Sequence, residues 1–368
     1  MNHLSRSYSR RRFLKNGIGP VMTALIAPSL FTSLQQPAHI DRVLKTRGVV
    51  LIVDDILSLN WPLLANDANL TTIGISVIPS EASKFIRSDK GQQFLSDCKK
   101  YHIQVEYELH AMNDLLPRNL FDKNPEMFRM NKDGIRVSDF NCCPNSKNAL
   151  EVISENAVRY AETLHSTTGR YFYWIEDGKP MCYCNHCKEL TDSEQALLVE
   201  NRIVKALRQK WEGSSLAHLA YLNTLSAPVK IQPEDGIFLE FAPINRSWAK
   251  PLRDKKAIIE HNYWKDLTVL RHGEIMDKLD ENLRVFPVST AQVLEYWIDV
   301  SLQSGWEKPA KKLEWYPKIC SSDVEDYTKK GIQHITTFAV YVDEDYKNSY
   351  KDIGFVKEYG RILKQYAL

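Results

Sequence analysis

Beyond residue 38, short apolar runs alternate with stretches whose apolar positions recur every three or four residues. The apolar runs are Val49–Val53, Thr71–Ile78, Gln104–Leu109, Arg170–Ile175, Leu216–Leu225, Gly236–Pro243 and His334–Val342. Arg284–Ser289 fits a seventh place in the chain order, in competition with Val293–Ile298. Their β-branched and aromatic content and short length predict strands. Helical spacing covers Glu81–Tyr101, Asn148–Leu164, Thr191–Trp211, Tyr263–Leu279 and Ile353–Tyr366. A shorter helix is expected at Asp323–Lys330, capped by Ser321 or Ser322 and ended by Gly331. Strands that are apolar almost throughout are buried on both faces, as in a parallel sheet covered by helices. About eight such units predict an α/β protein of the closed (β/α)8, or TIM, barrel type. No G-x-G-x-x-G follows the first strand, which disfavours an open dinucleotide-binding sheet. Neither a repeat nor a low-complexity linker interrupts residues 39–368, so these are expected to form one domain.

Residues 1–38 read differently. Ser9-Arg10-Arg11-Arg12-Phe13-Leu14-Lys15 fits the S-R-R-x-F-L-K pattern of a twin-arginine export signal. The apolar part that follows, Val21–Phe31, contains Pro28 and lies just after Pro20. It is too short and interrupted for a membrane span and fits the apolar core of a signal peptide cleaved between Ala27 and Ala38. The expected destination is the periplasm or the exterior, reached through the twin-arginine route.

Composition narrows the class. The 48 basic and 46 acidic residues give a net charge of +2, with no basic surplus for nucleic acid. The 43% hydrophobic content supports a large core. Eight Trp and 17 Tyr could pack a core or offer flat faces to sugar rings.

In a barrel the reactive groups sit at the carboxyl ends of the strands. Asp54 and Asp55, His110, Glu176 and Asp177, Asn245 and Arg246, and Tyr341 and Asp343 occupy such ends. Glu176–Asp177 is the sharpest signal, because it follows Tyr-Phe-Tyr-Trp-Ile. Two adjacent carboxylates beside apolar walls repel and lose hydration, and one is then held protonated, as a general acid requires. His110 is placed to bond a sugar hydroxyl. Trp174, Trp248, Tyr296, Trp297 and Tyr341 are candidate sugar platforms, each with core packing as the plainer reading. Cys182-x-Cys184-x-x-Cys187 can hold a structural zinc, with a fourth ligand from His186, Cys142, Cys143 or elsewhere, or it can form disulfides. The loop Met112–Ser146 is too long for a plain connection and is a functional candidate.

Several segments together resemble a known family. They are Asn124-Pro125-Glu126-Met127-Phe128, Asn141-Cys142-Cys143-Pro144-Asn145, and Glu176-Asp177-Gly178 with the three cysteines after it. Phe241-Ala242-Pro243-Ile244, Arg246-Ser247-Trp248, Glu295-Tyr296-Trp297-Ile298-Asp299, and Thr337-Phe338-Ala339 with Tyr341 complete the set. Over roughly residues 100–366 the chain resembles the domain of unknown function 4838, part of which is classed as glycoside hydrolase family 163. The resemblance implies a barrel that cleaves N-glycan cores as an endo-β-N-acetylglucosaminidase. It also implies a retaining, substrate-assisted mechanism, an exception to the usual two-carboxylate scheme. One of Glu176 and Asp177 would then protonate the leaving oxygen, and the other would orient the sugar's acetamido group. Asn145, Arg246, Trp248 and Asp343 join His110 and the aromatic platforms as expected substrate contacts. Substrate-assisted hydrolases of related fold commonly carry the pair as Asp then Glu, the reverse of the order here.

The expected partner is a glycan or glycoprotein, with no cofactor needed for catalysis. Competing readings are another glycosidase, such as a uronidase-like one, a silent sugar-binding barrel, and a zinc hydrolase.

Overall fold

The computed structural model describes residues 43–176, 178–260 and 268–368. The signal-peptide reading therefore lies outside the described residues. Eight strands close a parallel barrel in sequence order. They are β1 (Thr46–Leu51), β2 (Thr72–Val77), β3 (Gln104–His110), β4 (Arg170–Trp174), β5 (Ser215–Ala220), β6 (Ile237–Phe241), β7 (Gln292–Glu295) and β8 (His334–Phe338). The closing pair runs from Thr46 opposite His334 to Val50 opposite Phe338. The (β/α)8 expectation holds.

Side chains alternate across each strand, so the sequence divides between two cores. One parity packs outward against the helices, as with Val49, Ile73, Tyr173 and Val293. The other fills the barrel with Val50, Phe172, Trp174, Leu219, Phe238 and Leu294. The inward parity also carries polar groups. Arg170 donates to Gln292 Oε1 at 2.8 Å and lies 3.4 Å from Glu106 Oε1. Its guanidinium sits 3.9 Å from the centre of the Phe238 ring. Glu108 crosses the interior toward β2, where a Cβ at Gly74 would come within 2.7 Å of Glu108 Oε1. Glycine at 74 leaves the room that this carboxyl occupies.

Three expected elements differ. Arg284–Ser289 is not a strand. Arg284 caps the helix His272–Leu283, and Pro287 leads into a short 3-10 turn at Val288–Thr290. Proline cannot donate to a central ladder, so the strand begins only at Gln292, nearer the competing run. The expected helix Glu81–Tyr101 is two helices, Pro79–Arg87 and Asp89–Lys100. Ser88 is extended and its hydroxyl accepts the Gly91 N–H at 3.2 Å, starting the second helix. The chain folds back so tightly there that a Cβ on Gly91 would lie 2.0 Å from Phe85 O. The helix expected at Asp323–Lys330 starts earlier, at Pro317, so Ser321 and Ser322 lie inside it rather than capping it. Proline suits a first turn, because its missing N–H would find no helical partner. The described part of the expected helix Tyr263–Leu279 begins at His272, and residues 261–267 lie outside the described residues. Among the described residues, no helix is long and apolar enough to cross a membrane.

Candidate active site

At the carboxyl ends of the strands the inward parity continues and opens a cavity of about 540 Å³. Ser76, His110, Trp174, Tyr221, Tyr296 and Phe338 line it, each at or just past a strand end. His110 meets Trp174 edge to face, with ring centres 5.1 Å apart. Tyr296 packs against Phe338 at 5.2 Å and against Trp248 at 5.8 Å. Trp306, on the segment after β7, adds an indole at the rim that is 46% exposed. The volume suits a small-molecule site, which typically measures roughly 300–1,000 Å³. Its aromatic walls suit the apolar face of a sugar ring.

Beneath the aromatic floor lies a layer of buried carboxyls. Trp174 Nε1 donates to Glu240 Oε2 at 2.7 Å, and Gln292 Nε2 donates to Glu240 Oε1 at 3.0 Å. Burial raises the Glu240 pKa to about 8, against the pull of Trp174 and Arg170. Glu108 is fully buried, and burial beside Glu240 and Glu106 raises it well above the usual carboxyl range, against the pull of Arg170 and Gln292. On the wall itself, Asp299 accepts from the Ser301 hydroxyl at 2.7 Å and from the Ser301 and Leu302 amides. Burial nonetheless raises its pKa to about 6, because removing a carboxylate from water outweighs those three bonds.

Glu176 stands two residues past Trp174, at the tip of β4. It is half-buried at the rim and is not part of the cavity wall. Neighbouring loops hold its segment from two sides. Asn141 Oδ1 accepts the Glu176 N–H at 3.1 Å, and Asn141 Nδ2 points to the carbonyls of Lys179 and Pro180. From the β5 side, Asn223 Oδ1 accepts the Gly178 N–H at 3.1 Å, and Asn223 Nδ2 reaches Asp192 at 2.7 Å. Gly178 has φ of 61°, a left-handed turn that glycine adopts without steric cost. The Arg118 guanidinium, half-buried on the long β3 loop, lies within electrostatic range of Glu176. Asp177 lies outside the described residues.

The other expected contacts divide. His110, Trp174 and Tyr296 line the cavity. Trp248 supports it from behind Tyr296. Tyr341 stands near its rim, with its hydroxyl donating to the Trp306 carbonyl at 3.1 Å. Its φ of 67° is held where its N–H donates to the buried Asp55 at 3.2 Å. Four expectations are corrected. Arg246 is fully buried and paired with Glu295 at 3.0 Å and Asp323 at 2.7 Å, so it braces the structure and does not line the cavity. Trp297 turns outward to pack on Tyr359 and donates to Asp323 at 3.2 Å. Asp343 caps the helix Glu344–Tyr350 and pairs with Lys308 at 2.6 Å. Asn145 is exposed beside the cysteine cluster and away from the barrel mouth. Sequence reading missed Tyr221, Asp299, Trp306 and Phe338. Following the inward alternation of β5 one residue past its end, and that of β8 to its last residue, would have found Tyr221 and Phe338.

Cys182, Cys184 and Cys187 are buried, and Cys143 from the β3 loop joins them. Their four sulfur atoms lie within 4.8 Å of one another, and none is in a disulfide. Cys142 turns the other way, into the main core.

A closed (β/α)8 barrel with an aromatic cavity at its carboxyl end, and an acid-bearing loop leading off β4, defines the class of this chain. By sequence the chain belongs to the family described as Domain of unknown function (DUF4838), whose model matches residues 80–280. No curated protein matches it by sequence. Among solved structures it is similar to a β-N-acetylhexosaminidase from Bacteroides fragilis NCTC 9343, with 11% identity and a TM-score of 0.53. That alignment covers 88% of this chain and 66% of the other. A GH5-4 broad specificity endoglucanase from an uncultured bacterium aligns with 11% identity over 90% of this chain and 98% of its own, with a TM-score of 0.49. At such identities the likeness is one of fold.

Proposed function

We propose that the chain is a glycoside hydrolase acting on N-acetylglucosamine-containing glycans, with Glu176 as general acid and Asp177 orienting the substrate's acetamido group. The observation that carries this reading is the position of Glu176 at the tip of β4, two residues past Trp174, which lines an aromatic cavity at the carboxyl end of the barrel. The fold shared with a β-N-acetylhexosaminidase from Bacteroides fragilis supports it.

The sugar would rest on the walls made by Trp174 and Tyr296. Its acetamido oxygen attacks C1 as the bond from C1 to the leaving oxygen breaks. Glu176 gives its proton to that oxygen, and a cyclic oxazolinium ion forms. Water then adds to C1, the ring opens, and Glu176 takes back the water's proton. The configuration at C1 is inverted twice and so retained. The two asparagine contacts fix the segment that presents the acid, as positioning to within about half an ångström demands.

The test is incubation with complex and high-mannose glycoproteins, followed by mass spectrometry of the released glycans. Glu176→Gln keeps the shape and cannot donate an acidic proton, so turnover should fall on the order of 10²–10⁴-fold. Release by the variant within a few-fold of wild type would overturn the role of Glu176.

A further inference from the structure

We propose that Cys143, Cys182, Cys184 and Cys187 form a tetrathiolate zinc site that clamps the β3 loop to the β4 loop. Cys143 Sγ lies 3.8 Å from Cys184 Sγ and 4.0 Å from Cys187 Sγ. Four sulfurs at the zinc–thiolate distance of about 2.3 Å, arranged tetrahedrally, stand about 3.8 Å apart. A disulfide would bring one pair to about 2.0 Å. The cluster thus has the spacing of ligands around one ion, and all four sulfur-bearing residues are buried.

The surroundings suit an anionic centre. Four thiolates around a divalent ion leave two negative charges, and binding releases the thiol protons to solvent. The Met130 N–H donates to Cys182 Sγ at 3.3 Å, and Arg136 Nη1 lies 3.7 Å from the same sulfur. The peptide framework is held as well. Gln195, from the helix Asp192–Lys210, accepts the Cys182 N–H at 3.0 Å and donates to the carbonyls of Cys182 and Cys187. The Cys143 N–H donates to Met127 O, and the Tyr183 N–H to Met130 O, so the two loops are already stitched around the ion's place. With all four positions taken by protein, the site is closed to water and substrate, which marks a structural centre. Tetrahedral sulfur selects zinc or iron over magnesium, calcium or manganese. Zinc, which has no redox chemistry, is the ion assigned. The clamp reaches the proposed acid through Asn141, two residues before Cys143, which holds the Glu176 amide.

The experiment uses the full chain expressed with zinc in the medium. Elemental analysis should find about one zinc per chain, and Cys143→Ser or Cys187→Ser should reduce it below about a tenth. Cys142→Ala, which leaves the cluster whole, should keep the metal. Cobalt(II) exchanged into the wild-type protein should give the intense visible absorption of a tetrahedral thiolate site, a readout that needs no variant to fold. Denaturing thiol titration with a chelator should then count all seven cysteines. Three thiols would mean that the cluster is two disulfides, and iron in place of zinc would refute the assignment of the ion. Wild-type protein without metal or cobalt spectrum would overturn the proposal. None of these readouts depends on glycan cleavage, so the site and the proposed activity stand or fall separately.

Discussion

Replacing Arg246 by Met would test whether this residue braces the barrel or binds substrate. The side chain is fully buried, paired with Glu295 and Asp323, and also donates to Lys250 O at 3.0 Å. Methionine retains most of the volume and leaves two carboxylates without their cation. Breaking a buried pair from one side costs about 3–5 kcal/mol. The remaining donors limit the damage to this scale, since Tyr327 still bonds Glu295 at 2.6 Å and the Leu252 amide bonds Asp323 at 2.8 Å. Over roughly 330 folded residues, with an unfolding entropy of about 2.1 cal/mol/K each, 4 kcal/mol lowers Tm by about 6 °C. Differential scanning calorimetry at pH 7 measures it. A variant that melts with wild type at pH 7 while its KM rises would refute the structural assignment and return Arg246 to the substrate.

The remaining expectations follow from other features. Trp174→Phe removes the indole N–H from buried Glu240 and should cost about 1–3 kcal/mol while raising KM, measured by melting and by glycan-release kinetics. Asp55 and Asp299 have pKa values raised by burial to about 7 and about 6, so the folded state binds more protons than the unfolded state between pH 4 and 7. Their contribution to stability is therefore present below pH 4 and lost as pH rises through 6 to 7; Asn at both positions should flatten the Tm–pH profile across that window. Replacing Arg10 and Arg11 by Lys should strand the precursor in the cytoplasm, read by fractionation, if the twin-arginine route carries it.

The barrel was legible because a strand buried on both faces has few ways to be polar. Seven runs gave their strands to within a few residues, down to the stop at the tip of β4. The errors lie where local pattern and tertiary contact disagree. Arg284–Ser289 is apolar enough for a strand, but Pro287 and a neighbouring helix end claim it. Helical spacing ran straight through Ser88, because periodicity does not register the close approach at Gly91. In the cavity, position along the chain located His110 and Trp174, since a strand end is a local property. It could not tell that Arg246 and Asp343, also near strand ends, are used up by Glu295, Asp323 and Lys308, partners from distant segments. The fourth sulfur was among the possibilities weighed for the cluster, and only the folded β3 loop separates Cys143 from its neighbour Cys142.

The hydrogen bonds around Glu176 make the rim of this barrel lopsided. On the arc from β3 to β5, asparagines tie adjoining loops to one another, so a change there would shift the segment that carries Glu176. On the arc from β7 to β8, Trp306 is about half-exposed and its carbonyl is bonded to Tyr341, far along the chain from any carboxylate proposed for bond cleavage. If Glu176 is the acid proposed above, a library confined to residues 303–312 is expected to change glycan preference and keep turnover, whereas one built on residues 139–146, which include Asn141, is expected to lose it.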